Sequence, residues 1–376
     1  MSRIRTAFVP AATLALVMVA AACSSNGGSG GTPSTQPGGS GNDAAPTGVL
    51  AQYAGMSVSE RDPLLAKIAK EEGQLTLYTV ANNFTVLGDA FEKKYGVKVN
   101  VYNISTDPLV LRVRQEEEAN RLGADVVDLT QPPFLSDDGI ASYLYPGLKY
   151  DQSQDLIPNA VGKGYVADRV NVFAVTWNKN LVPDNEVPQN VSDLVDPKYK
   201  GKLFVANSDS DWYAALVQYY EGQGKSRADA GAIVDGLIKN SAIAQDHGTL
   251  ISLLAAGQYE FSLDALLSTS SRNIAKGAPI AYTTADDRVI SPLVLVPCSM
   301  GVFTKAQHPA AALLFLDYTL SAEGQQILVD NGNLGSSTVG RKSITKYPST
   351  VADMTDFAGD PSYDADYKAA LASAGH

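Results

Sequence analysis

Two long apolar runs, VNVFAVTW from Val170 to Trp177 and PLVLVPCSMGVF from Pro292 to Phe303, interrupt a regular alternation of short strand-like and helical segments. Each is longer than one tight strand requires. A chain that alternates β-rich runs with helical periodicity folds as α/β layers. From Arg61 the body is about 315 residues long, beyond the size at which one hydrophobic core keeps growing. The two runs are therefore expected to be crossings between two doubly wound lobes, with a ligand cleft between them. Lobes joined this way can close on a ligand as a clamp.

The element pattern fills both lobes. Strands are expected at Gln74 to Val80, Val97 to Tyr102 and Ala124 to Leu129, with helices from Leu87 and from Pro108 between them. After the first crossing come strands at Lys202 to Val205, Ser241 to Ala244, Glu260 to Leu263 and Ile280 to Thr283, and helices at Asp211, Ala230 and Leu250. Helices Ala310 to Leu320 and Ala322 to Asp330 follow the second crossing. The expected partition is a first lobe of 61–170 plus 300–376 and a second lobe of 171–299.

The N-terminus reads as an export signal: Arg3 and Arg5, an apolar run from Ala7 to Ala22, then Cys23. That run is too short to span a membrane comfortably. Ala20-Ala21-Ala22-Cys23 resembles a bacterial lipoprotein cleavage site, which implies a lipid on Cys23. Residues 1–22 are then a signal peptide, and 23–60 a Gly, Ser, Pro and Thr-rich tether. Removing Arg3 and Arg5 takes the formal charge from −11 to −13. Such an acidic surface disfavours nucleic acid as a partner. With Cys23 acylated, Cys298 has no disulfide mate and is expected as a small buried apolar residue.

Three stretches resemble the extracellular solute-binding proteins of ABC importers, the type 2 periplasmic binding proteins that include ferric-iron, thiamine and phosphonate binders. They are Gln74-Leu-Thr-Leu-Tyr-Thr-Val, Ser192-Asp-Leu-Val-Asp-Pro-Lys-Tyr-Lys-Gly-Lys-Leu and the run His308 to Gln326 that ends in Leu-Ser-Ala-Glu-Gly-Gln-Gln. The resemblance implies capture of a small ligand outside the cell and delivery to permease and ATPase subunits; a monomer without a cofactor is expected. Asp196-Pro197 is itself a turn opener, and Ser321 is a helix N-cap candidate. Gly324 stands where a full capping box would carry Glu or Gln.

In open α/β sheets the ligand lies beyond the carboxyl ends of the strands. That rule nominates Asn82 and Asn83, Thr130 and Gln131, and Ser208, Asp209 and Ser210. Ser210 or Asp211 serves equally as an N-cap. His247 and Asp264 follow further strands on the same rim. The family's iron binders place a tyrosine pair where this chain reads Asp264 to Arg272; leucines and serines stand there instead. Ferric iron wants anionic oxygen ligands, so iron ranks below a small organic or phosphorus-containing anion. Ser268 and Arg272 are candidates for such an anion. The sequence has no Gly-x-Ser-x-Gly, His-Glu-x-x-His or P-loop motif. A secreted two-domain hydrolase remains the alternative of another class; the expectation is no enzyme, no catalytic residue and no resident metal.

Overall fold

The first helices lie before Arg61, where the sequence places the start of the globular body. Helix α1 is Val49–Tyr53 and α2 is Val58–Glu72. The Glu60 carboxylate turns back to accept a hydrogen bond from the Ser57 backbone N–H at 2.9 Å, half of a capping box written into Ser57-Val-Ser-Glu60. The computed structural model describes residues 48–81, 84–130, 139–150, 156–157, 160–331, 334–335 and 346–374. The expected signal peptide and Cys23 fall outside the described residues, and 46–376 form one unit.

A parallel sheet follows: β1 (Gln74–Thr79), helix α3 (Phe84–Tyr95), β2 (Lys98–Asn103), α4 (Thr106–Glu118) and β3 (Val126–Thr130), with β1 between β2 and β3. Beyond a short β4 (Val161–Gly162), the first crossing is β5, Tyr165–Asn178. It delivers the chain to β6 (Leu203–Ala206), α5 (Ser210–Gly222), α6 (Arg227–Lys239), β7 (Ser241–Ala244), α7 (His247–Ala255), β8 (Phe261–Leu266) and α8 (Leu267–Ala275). After β9 (Ile280–Ala281), the second crossing is β10, Leu293–Val302. It pairs antiparallel with β5 along one edge from Val294 to Gly301 and with β3 along the other from Cys298 to Val302. The sheet runs β2-β1-β3-β10-β5-β8-β6-β7, so both lobes hang on the two crossing strands.

Helix α9 (Pro309–Leu320) is buried along its whole length from Ala310 and forms the centre of the first lobe's core. Its Asp317 is held by Arg61 of α2 through two hydrogen bonds, Nε to Oδ2 at 2.7 Å and Nη2 to Oδ1 at 2.5 Å. Ser321 does cap α10 (Ala322–Asp330), accepting from the Gly324 N–H at 3.1 Å. A Cβ on Gly324 would lie 2.1 Å from the Tyr318 carbonyl oxygen, which is why the capping box is incomplete. Gly324→Glu, which completes the box on paper, is expected to cost roughly 2 kcal/mol or more through overpacking. Urea denaturation of the variant reads that loss directly.

Strands β11 (Leu334–Gly335) and β12 (Ser349–Val351) add to β5 and β10. The last helices, α11 (Met354–Gly359) and α12 (Ser362–Ala374), differ from expectation. The sequence assigns 300–376 to the first lobe, yet Tyr363, Tyr367 and Ala370 are buried with Trp212, Tyr213 and Val217 in the second lobe's core. Tyrosines recurring at 363 and 367 give α12 an apolar stripe; nothing in that stripe says which lobe receives it.

Candidate functional site

The carboxyl ends of the strands carry two clusters of buried ionisable groups. In the second lobe, β6 ends at Ala206, and Asp209 stands at the N-cap position of α5 without making a capping hydrogen bond. Its carboxylate turns instead to His247, the first residue of α7, at 3.2 Å from Nε2. The Ser208 hydroxyl donates to Asp209 Oδ1 at 3.0 Å. Asp264, fully buried on β8, accepts from the Ala206 N–H at 2.8 Å through Oδ2. Asp211 and the ring of Phe173, 5.9 Å from the imidazole, complete the surroundings. The sequence left Ser210 or Asp211 as the cap; Asp209 occupies that position and is diverted from capping.

This crowding sets the protonation states. Burial, followed by the charge of Asp209, pushes Asp211 up to about 7. The same two causes hold Asp264 well above the usual carboxylate range. Burial disfavours the His247 imidazolium, but the combined attraction of Asp209, Asp264 and Asp211 outweighs it and raises the group to about 9. His247 is therefore a cation at neutral pH, with both ring nitrogens as donors. Asp264, shifted toward its neutral form, can offer an O–H.

The second cluster sits where the first lobe meets the crossing strands. Arg169 of β5 donates from Nη2 to Asp128 Oδ2 at 3.1 Å and from Nη1 to Asn171 at 3.1 Å. The Thr79 hydroxyl, at the end of β1, donates to Asp128 as well. The β5–β10 register slips between Cys298 and Ser299, leaving Asp168 opposite no partner. Such a bulge re-aims a side chain. Asp168 is fully buried, and neither of its carboxylate oxygens has a hydrogen-bond partner. Burial, with the charge of Asp128 beside it, raises Asp168 well above its ordinary value. Cys298 is a buried, free thiol pushed up to about 12 by burial, the inert packing residue expected.

Of the residues nominated from the sequence, the fold brings together Ser208, Asp209, His247 and Asp264. Ser210 is half-buried in the first turn of α5, and Thr130 ends β3 opposite Cys298. Ser268 is half-buried on α8. Arg272 is exposed there and donates to Thr269 of its own helix at 3.1 Å, outside both clusters. Asn82, Asn83 and Gln131 lie outside the described residues. Trp212 and Tyr213 are core, and the pair Tyr219 and Tyr220 packs ring to ring on α5 at 5.2 Å. Sequence reasoning passed over Thr79, Asp128, Asp168 and Arg169. Their signal is the charged dipeptide Asp168-Arg169 inside the apolar run Tyr165–Asn178, where a charge has no place unless it is paired.

Comparison with known proteins gives the family. A family model described as bacterial extracellular solute-binding protein matches residues 87–356. The chain belongs to this family. The Fe(3+)-binding periplasmic protein of Serratia marcescens is 25% identical over 288 residues, covering 71% of this chain and 79% of that one. Among solved structures, the Trichodesmium protein FutA, in complex with iron and citrate, superposes with a TM-score of 0.59 at 23% identity, over 81% of this chain and 99% of its own. AfuA of Actinobacillus pleuropneumoniae, with fructose 6-phosphate bound, gives 0.59 at 19% identity, over 79% and 97%. At these identities the solved structures establish the two-lobed fold alone, and their ligands differ in kind. This solute-binding protein thus serves an ABC importer by capturing and handing over a small ligand. Among the described residues no helix is long and apolar enough to cross a membrane.

Proposed function

We propose that this solute-binding protein captures a small organic or phosphorus-containing anion between its lobes. We propose further that a lipid on Cys23 holds it to the outer face of the cell membrane, from which a monomer delivers the ligand to permease and ATPase subunits. One observation carries the ligand class: each lobe end presents a cation with a spare donor, Arg169 buried and His247 half-buried. Arg169 Nε, in a long ion pair with Asp168 Oδ2 at 3.8 Å, and His247 Nδ1 are both enclosed, and neither has a hydrogen-bond partner. Charge-assisted bonds from two such donors are the strong kind, and they suit carboxylate, phosphate or phosphonate oxygens. The acidic neighbours count less than their number suggests, because Asp168 and Asp264 are shifted toward the neutral form. Arg272, exposed and bonded within its helix, has no part in this reading.

Ferric iron is the second reading, favoured by the Serratia relative. Against it, Tyr219 and Tyr220 are packed away on α5, and the described residues include no group of three His, Cys, Asp or Glu side chains able to hold a metal ion. A thermal-shift screen of the chain from Gly48 onward separates the two. Probes are citrate, fructose 6-phosphate, methylphosphonate, ferric citrate, thiamine, spermidine and glucose. An anion at 100 times its dissociation constant stabilises by roughly 2.7 kcal/mol. That shift is expected to shrink above pH about 9, as His247 loses its charge. A response to ferric citrate without one to iron-free citrate would replace the anion by the metal, and a response to spermidine alone would refute both.

A further inference from the structure

We infer that Tyr367, carried on the C-terminal helix α12, is a positioning residue for the second lobe's ligand site, bracing the loop that presents Asp209 to His247. The inference rests on the reading of this cluster as the ligand site, and the helix lies beyond the residues 87–356 matched by the family model. Tyr367 is almost wholly buried, and its ring packs 5.7 Å from that of Tyr213 on α5. Its hydroxyl reaches past the core to the loop between β6 and α5. There it donates to the carbonyl oxygen of Ala206, the last residue of β6, and accepts from the backbone N–H of Asp209 at 3.4 Å.

One oxygen therefore closes both ends of the turn 206–209. At the start of that turn the Ala206 N–H donates to Asp264 at 2.8 Å and the Asn207 N–H to Ala244 at 3.0 Å; at its end the Asp209 carbonyl accepts from the Tyr213 N–H of α5 at 3.1 Å. Only Tyr367 touches the backbone of Asp209 from outside α5 among the bonds described. Removing the hydroxyl leaves a buried carbonyl and a buried N–H short of a partner, a cost the turn relieves by shifting. A shift moves the carboxylate that fixes His247. Binding groups held this way lose function when their supporting shell loosens by about 1 Å.

The test needs no ligand, so its failure and the failure of the anion reading are told apart. His247 is one of three histidines, beside His308 and His376, and its ring can be titrated by NMR in the folded chain. The charged groups around it are Asp209 and Asp211 from the α5 end, Asp264 from β8 and the neighbouring Asp246. Tyr367→Phe keeps the ring in the core and removes only the oxygen. The His247 midpoint is expected to fall by a unit or more, and the Asp209 amide to exchange at least ten times faster. Tyr363→Phe is the control: its hydroxyl, on the same helix, bonds Asp356 at 2.5 Å and not the turn. His247 should not move in that variant. An unmoved His247 midpoint and Asp209 amide in Tyr367→Phe, or equal movement in Tyr363→Phe, would overturn the inference. Should Tyr367→Phe not fold, Tyr367→Leu, which is apolar, no larger and carries no hydrogen-bonding group, reads the same midpoint.

Discussion

Arg61→Ala is expected to destabilise the chain by roughly 3–5 kcal/mol, the range for removing one partner of a buried ion pair. Arg61 and Asp317 have no exposed side-chain surface, and the guanidinium meets the carboxylate through two bonds. Truncating the arginine strands Asp317 inside helix α9, among the apolar residues that centre the first lobe. Burial already raises Asp317 to about 7 despite the arginine. The stranded group therefore escapes part of the penalty by taking up a proton, and the loss should be smaller at pH 5 than at pH 8. Arg61→Met combined with Asp317→Leu should recover most of the stability, since a buried pair replaced by apolar groups of similar volume is often neutral. Urea denaturation of the unaltered chain and the two variants gives both differences. A single-variant loss below about 1 kcal/mol would mean that α2 does not dock through this pair.

Stability should also fall as pH rises between about 7 and 9. His247 has its folded value raised from 6.5 to about 9. A base raised on folding contributes fully below its unfolded value and loses the contribution as pH climbs through the folded one. A shift of this size corresponds to about 3 kcal/mol as an upper bound. Asp211 acts in the same direction from lower pH: its folded carboxyl is raised to about 7, so ionising it on the way up costs stability. Denaturation midpoints at pH 6, 7.5 and 9 should therefore descend, and His247→Gln should flatten the step from 7.5 to 9. An unchanged slope in that variant would detach the pH dependence from this cluster.

The architecture was legible because its signals are local. β7 and α10 fall on the residues the sequence gives them, and both crossings lie in the two apolar runs, since buried strands read as continuous apolar segments. The start of the body was not, because Pro63 inside α2 masks a helix whose entry Ser57 and Glu60 announce. Ser208, Asp209, His247 and Asp264 of the second lobe's cluster could be nominated, since strand ends mark where ligands lie. The rest depends on contacts between distant positions. Tyr367 meets Asp209 across 158 residues, and Asp128 meets Arg169 across two strands that no periodicity pairs. Arg272 illustrates the converse: an arginine in a serine-rich turn suggests an anion partner, and the helix supplies Thr269 instead.

The most direct test of capture between the lobes is a calorimetric titration of the chain from Gly48 onward with the anion giving the largest thermal shift, followed by recovery of that ligand. The account predicts one site per chain and a ligand recovered chemically unchanged. It predicts affinity at least tenfold weaker in His247→Gln, a loss of about 1.4 kcal/mol or more. Binding that survives that substitution undiminished, or a ligand recovered as a product, would contradict it.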